Sequence, residues 1–189
     1  AVKADHEIFS RSEFQDIHLL KSLLPKAYKQ LGTSGGGNHF VEFGVVQLDA
    51  PLSEWKLEAG SYFCVLSHSG SRGMGANIAK HYTYLATKQC PLPKNVQHLA
   101  WLDLNTHDGQ EYWMAMNLAG EYAKACHEDI HRRLAKALGK RIVVTIENHH
   151  NFAWKEMVDG KECIVHRKGA TPAAKGQLGI IPGSMTAPG

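Results

Sequence analysis

Three stretches of this chain repeat apolar residues at helical spacing, and four others alternate or run together as strands do. Over residues 14–30, Phe14, Ile17, Leu20 and Leu24 share one side of a helix. Pro25 is expected to kink or restart that helix, because it lacks the N–H and crowds the preceding turn. Residues 75–89 form a second helical segment, ended by Pro91 and Pro93. The longest runs from Glu111 to Leu138, where Leu118, Tyr122, Cys126, Ile130, Leu134 and Leu138 recur at every fourth position and Gly139 supplies the stop. That stripe predicts core packing. Residues 39–48 alternate as a strand and end before Pro51. Residues 61–70 are a continuous apolar run closed by Ser, His and Gly, which predicts a buried strand. "RIVVTIEN" at 141–148 is rich in β-branched residues and predicts a central strand. "ECIVHRKG" at 162–169 predicts a short one. Together these elements describe an α/β (α+β) unit with a mixed sheet.

Composition narrows the class. A hydrophobic fraction of 43% and a charged fraction of 21% are those of a soluble globular protein. No apolar run approaches the ~20 residues needed to span a bilayer. The opening residues lack the apolar core of a signal peptide. The four cysteines, Cys64, Cys90, Cys126 and Cys163, are scattered with no Cys-x-x-Cys pair, which suggests neither a zinc knuckle nor a disulfide framework and suits a reducing cytoplasm. A net charge of +3 permits a polyanionic partner without demanding one. The chain closes on "GIIPGSMTAPG", a strand and a glycine-rich loop, and reads as a slice of something longer.

Twelve histidines change the picture most, since imidazole is the commonest transition-metal ligand. His18, His98 and His131 have no special neighbours in sequence. Three other places share one arrangement: a strand ends, and a histidine appears beside small or polar residues. They are Asn38-His39, "SHSGSRG" at 67–73 and "ENHHNF" at 147–152. Histidines on separate rigid elements suit a first-row metal such as Mn, Fe or Zn. The glycine run at 35–37 reads first as a flexible turn before a strand, and otherwise as a place where backbone approaches a ligand. "HSGSRG" adds hydroxyls, glycine amides and Arg72 ahead of a helix beginning near Gly75, which reads equally as a phosphate seat or as an ordinary capped strand-to-helix turn with a surface arginine. Arg167 and Lys168 are a second basic pair, with solvation as the simpler expectation. "IIPGSM" at 180–185 would present Ser184 from a rigid loop.

"LGTSGGGNHFVEFG", "HSGSRGMG", "NHHNFAWKE" and "HRKGA…GIIPGSM" occur in order and together resemble the RtcB-type RNA ligases over nearly the whole chain. The resemblance implies an RtcB-like fold with mixed sheets, of which residues 1–189 would be a single central and incomplete portion. It implies joining of RNA ends bearing a 2′,3′-cyclic phosphate or 3′-phosphate to 5′-hydroxyl ends, in transfer-RNA splicing and RNA repair. GTP and two manganese ions are the implied cofactors. His39 would bind one ion; His68 and His150 would bind the other. His150 is chosen over His149 because the family's ligand precedes an asparagine, here Asn151. The guanylate pocket would be lined by Asn38, His39, Phe40, Val41 and Glu42, by His150 and Asn151, and by Pro182, Gly183, Ser184 and Met185. Arg72 would hold the RNA terminal phosphate.

Three family features are missing, one of them a late lysine that contacts guanine. No cysteine here follows an aspartate by three residues, so the family's metal-bridging Asp-x-x-Cys is absent. So is the His-Gly-Ala-Gly-Arg motif that carries its nucleophilic histidine. Residues 1–189 alone are therefore expected neither to guanylylate nor to ligate. The alternatives are a metal-dependent phosphoesterase, using an activated water, and a non-catalytic RNA-binding module, using Arg72, Arg167 and Lys168.

Overall fold

The structure, a computed structural model, describes residues 5–171 and 173–179. Helices and strands both contribute, as the α+β expectation requires. The chain divides after Arg141 into two compact units.

The first unit opens with a short 3₁₀ turn, Glu7–Ser10, and continues through α1 (Glu13–Asp16), α2 (His18–Gln30), β1 (Phe40–Leu48), β2 (Gly60–His68), α3 (Arg72–Gln89) and α4 (His107–Ala137). The predicted first helix is broken at Ile17, whose backbone is extended, and not at Pro25, which lies inside α2. α3 begins at Arg72, earlier than the pattern indicated. α4 also begins early, because the Thr106 hydroxyl accepts from the Gly109 amide and caps it.

The core lies among the helices. Phe14, Leu20, Met74, Tyr82, Leu118, Tyr122 and Cys126 are its largest fully buried side chains. The α4 stripe packs as predicted from Leu118 to Ile130, then leaves the core, and Leu138 is exposed. The Tyr122 hydroxyl donates to the Ala27 carbonyl at 2.7 Å, satisfying a buried polar group across α2 and α4. Among the described residues, no strand residue belongs to the buried apolar set.

β1 and β2 form an antiparallel hairpin in continuous register, from Phe40 opposite His68 to Leu48 opposite Gly60. The expectation of a buried second strand is corrected: Phe63 is 61% exposed, and its ring lies 5.3 Å from that of the exposed Phe43. A two-stranded ribbon has too few neighbours to bury both faces.

The second unit contains β3 (Asn151–Val158) and β4 (Lys161–Lys168), again an antiparallel pair. β4 matches its prediction. β3 was not foreseen. Residues 141–148 form no strand; Ile142 and Val143 are exposed there. β-propensity describes fitness for a pleated, half-buried surface, and without a pairing partner it does not make a strand. Among the described residues the sheets are therefore two separate antiparallel pairs, in place of one mixed sheet. No described helix is long and apolar enough to cross a membrane.

Candidate functional site

Antiparallel pairing does the first work of assembly. β1 starts where β2 ends, so the register Phe40–His68 brings the Asn38–Glu42 segment beside the Ser67–Ser71 segment. The His39 and His68 rings meet edge to face with centres 6.2 Å apart, and the Phe40 ring lies 5.3 Å from His68. Val41 pairs with Ser67, and Glu42 pairs with Leu66 and is exposed.

Arg72 completes this end of the hairpin. Its Nε donates to Thr33 Oγ1 at 3.1 Å, and its Nη1 reaches His39 Nδ1 at 3.3 Å. Guanidinium can only donate, so His39 Nδ1 is the acceptor and the neutral ring carries its proton on Nε2. The His39 ring is held below its ordinary titration range, first by partial burial, then by the positive charge of Arg72 and by the His68 and His127 rings. A neutral imidazole is the form that ligates metals.

The glycine loop now has a physical reason. Gly35 has φ +108°, and a Cβ on it would collide with the Arg72 guanidinium. Gly32, at φ +68°, would drive a Cβ into the Asp129 carboxylate, which is buried on α4 and paired with Arg132 and Arg133. The loop is bare because two charged side chains lie against it.

α4 adds residues that the sequence did not single out. His127 is 9% exposed, and its Nε2 lies 3.2 Å from the Ser69 carbonyl. His131, which has no special neighbour in sequence, places its Nε2 2.9 Å from Ser67 Oγ. Both histidines sit one turn apart on a helix whose apolar stripe masks them, and only the i, i+4 spacing could have marked them.

Asn151 begins β3 in the second unit, and His150 immediately precedes it. Asn151 pairs with Lys168, its Oδ1 accepts from the Gly169 amide at 2.8 Å, and the His150 carbonyl accepts from the Ala170 amide at 3.1 Å. The neighbouring His149 stacks on Phe152, with ring centres 5.2 Å apart. Arg167 is not an open phosphate contact. It forms a two-pronged ion pair with Glu156 across the hairpin and lies over the Trp154 ring. That pairing holds the Glu156 carboxyl below the usual carboxylate range. Pro182, Gly183, Ser184 and Met185 lie outside the described residues.

Among the described residues, no three His, Cys, Asp or Glu side chains gather as a metal cage. The chemistry of the first unit nevertheless fits an ion and an anion. Two imidazoles face each other, a guanidinium stands beside them, and two buried hydroxyls, Ser34 Oγ and Ser69 Oγ, find no hydrogen-bond partner among the described residues. Buried polar atoms are rarely left so without a ligand or water to satisfy them.

The family profile described as "tRNA-splicing ligase RtcB" matches residues 5–189. The chain belongs to the RtcB family. It is 34% identical to the "RNA-splicing ligase RtcB1" of Escherichia coli over 176 residues, covering 85% of this chain and 40% of that relative. It is 33% identical to "RNA-splicing ligase RtcB homolog 1" of Entamoeba dispar, covering 87% of this chain and 36% of the relative. It is also 33% identical to "tRNA-splicing ligase RtcB" of Thermococcus kodakarensis, covering 82% and 39%. The chain thus spans about two fifths of the length of these relatives.

Proposed function

We propose that the protein to which these residues belong is a GTP- and manganese-dependent RNA ligase of the cytoplasm. It joins RNA ends bearing a 2′,3′-cyclic phosphate or 3′-phosphate to 5′-hydroxyl ends, as in transfer-RNA splicing and RNA repair. The observation that carries this reading is the end of the β1–β2 hairpin, where His39 and His68 face each other beside Arg72. Membership of the RtcB family supplies the reaction class.

In this reading His39 serves one manganese, and His68 with His150 serves the other. Of His149 and His150, His150 is taken as the ligand because Asn151 follows it, as the family pattern has it. Asn38 to Glu42, His150, Asn151 and Pro182 to Met185 hold the guanylate. Manganese, when bound, neutralises phosphate oxygens and orients in-line attack.

The chain's own residues do the rest. The planar fork of Arg72 grips a phosphate and stabilises the charge on it. Its donor now occupies the lone pair of His39 Nδ1. For His39 to act as a ligand, Arg72 has to release the ring, and the released guanidinium is then available to a phosphate. Recruitment of His39 and grip on RNA are thereby linked through one contact. The guanylylated histidine and the bridging cysteine are assigned to parts of the protein outside these residues.

Ligation of a broken RNA by the complete protein tests this. Activity should need both GTP and manganese, and Arg72→Ala should lower it by about 10²–10³-fold. Ligation without either cofactor, or an unaffected Arg72→Ala variant, contradicts the proposal. Residues 1–189 alone should accept no label from α-labelled GTP; stable labelling would show that the nucleophile is among them.

A further inference from the structure

The β1–β2 hairpin contributes nothing to the buried apolar core, yet His68 has to be held still if it is to serve as a ligand. The apolar packing that fixes the helices does not reach it. What reaches it is polar. His127 and His131 stand one turn apart on α4, on the same side of the helix. Their Nε2 atoms approach Ser69 and Ser67, the two residues that flank His68.

The two contacts differ in kind. The Ser69 carbonyl can only accept, so His127 Nε2 carries the proton and donates, which sets the tautomer of a ring that is 9% exposed. This contact holds main chain, just beyond the last residue of β2. The Ser67 hydroxyl can donate or accept, and its bond to His131 holds a side chain within the strand, opposite Val41. His68 is therefore bracketed, with backbone fixed on one side and a side chain on the other. α4 is anchored beside each of them by the residue before it, Cys126 and Ile130, both buried. The helix that forms the centre of the core thus passes its rigidity to the hairpin through two imidazoles.

We infer that His127 and His131 are positioning residues that set the backbone around His68 and so tune its service as a metal ligand. They act through Ser69 and Ser67 and touch neither substrate nor ion. The inference rests on the metal role of His68 proposed above. Outer partners that orient a ligand typically change metal affinity by about 10–100-fold when removed.

The experiment measures Mn²⁺ affinity of the complete protein, by the paramagnetic signal of free Mn²⁺, for the wild type and for five variants. Thermal midpoints are recorded alongside. His68→Ala tests the ligand itself: unchanged affinity there refutes the metal reading, whatever the other variants do. If His68→Ala weakens binding, His127→Ala and His131→Ala should each weaken it by about tenfold. His127→Gln and His131→Gln, whose amide nitrogen can occupy the place of Nε2, should recover most of that loss. Unchanged affinity in both alanine variants overturns the inference. So does a loss of affinity that the glutamine variants fail to recover, because packing alone would then explain it. Should His127→Ala fail to fold, the half-buried His131 carries the test with its own alanine and glutamine pair.

Discussion

The two hairpins are built alike and held differently. Both are antiparallel pairs with a histidine immediately before their first strand and a basic residue close by. The end of β1–β2 is gripped from far along the chain, by Arg72 from α3 and by His127 and His131 from α4. The end of β3–β4 is tied by its own strands and the residues that follow them: Gly169 to Asn151, Ala170 to His150 and Arg167 to Glu156. The first histidine site therefore inherits the stability of a helical core, whereas the second has the stability of a local turn. A site of the first kind fails when a distant core residue is lost. A site of the second kind fails only when its own hydrogen bonds are removed.

The largest expected effect follows directly. Phe14→Ala empties a fully buried position in the first unit and should destabilise it by about 3–5 kcal/mol. Chemical denaturation should show that loss, and the His39 and His68 ring signals should lose their native shifts while Asn151 keeps its own. Equal loss at both hairpins would break the comparison.

Gly35→Ala is next. Its positive φ and the nearby Arg72 guanidinium leave no room for a methyl group, so about 1–3 kcal/mol of strain is expected. Arg72 should be displaced, and the affinity for an RNA 3′-phosphate should fall in a direct titration. Gly36→Ala, where a Cβ meets nothing within 4 Å, should have little effect on binding and serves as the control.

Asn151→Ala removes one exposed contact to the Gly169 amide and should cost about 1 kcal/mol, confined to the second hairpin. Amide exchange at Gly169 should quicken while exchange in α4 stays unchanged.

The smallest effect is acid sensitivity of the first unit. Arg11 donates to Glu13 and holds its carboxyl below the usual range. A depressed folded pKa stabilises at neutral pH, and that contribution is lost as pH falls below about 4.5. Arg11 is 40% exposed, so solvent screening limits the loss to about 1 kcal/mol or less. An acid titration of the thermal midpoint, compared with Arg11→Ala, checks it.

Periodicity located most of the elements because helices and paired strands impose their spacing on the sequence directly. α4, β1, β2 and β4 were legible in that way. The stretch 141–148 misled because strand propensity specifies a surface and not a partner. β3 was missed because the strand was placed at 141–148, with residues 147–152 as the polar stretch that closes it. At the site, Asn38-His39 and Ser67-His68-Ser69 were legible as motifs, but their approach depends on hairpin register, which no local pattern shows. The glycines foretold close backbone approach, though it is Arg72 and Asp129 that come close. His127 and His131 were hidden because a stripe of core residues on the same helix dominated the pattern.

The central claim is that His39 and His68, joined at one hairpin end, face bound metal. Histidine ring resonances of ¹⁵N-labelled protein, followed as Mn²⁺ is added, test it most directly. The account predicts that the His39 and His68 signals broaden at the lowest manganese additions, while those of the remote His18 and His98 stay sharp. Sharp His39 and His68 signals at saturating manganese, with broadening elsewhere, would contradict it.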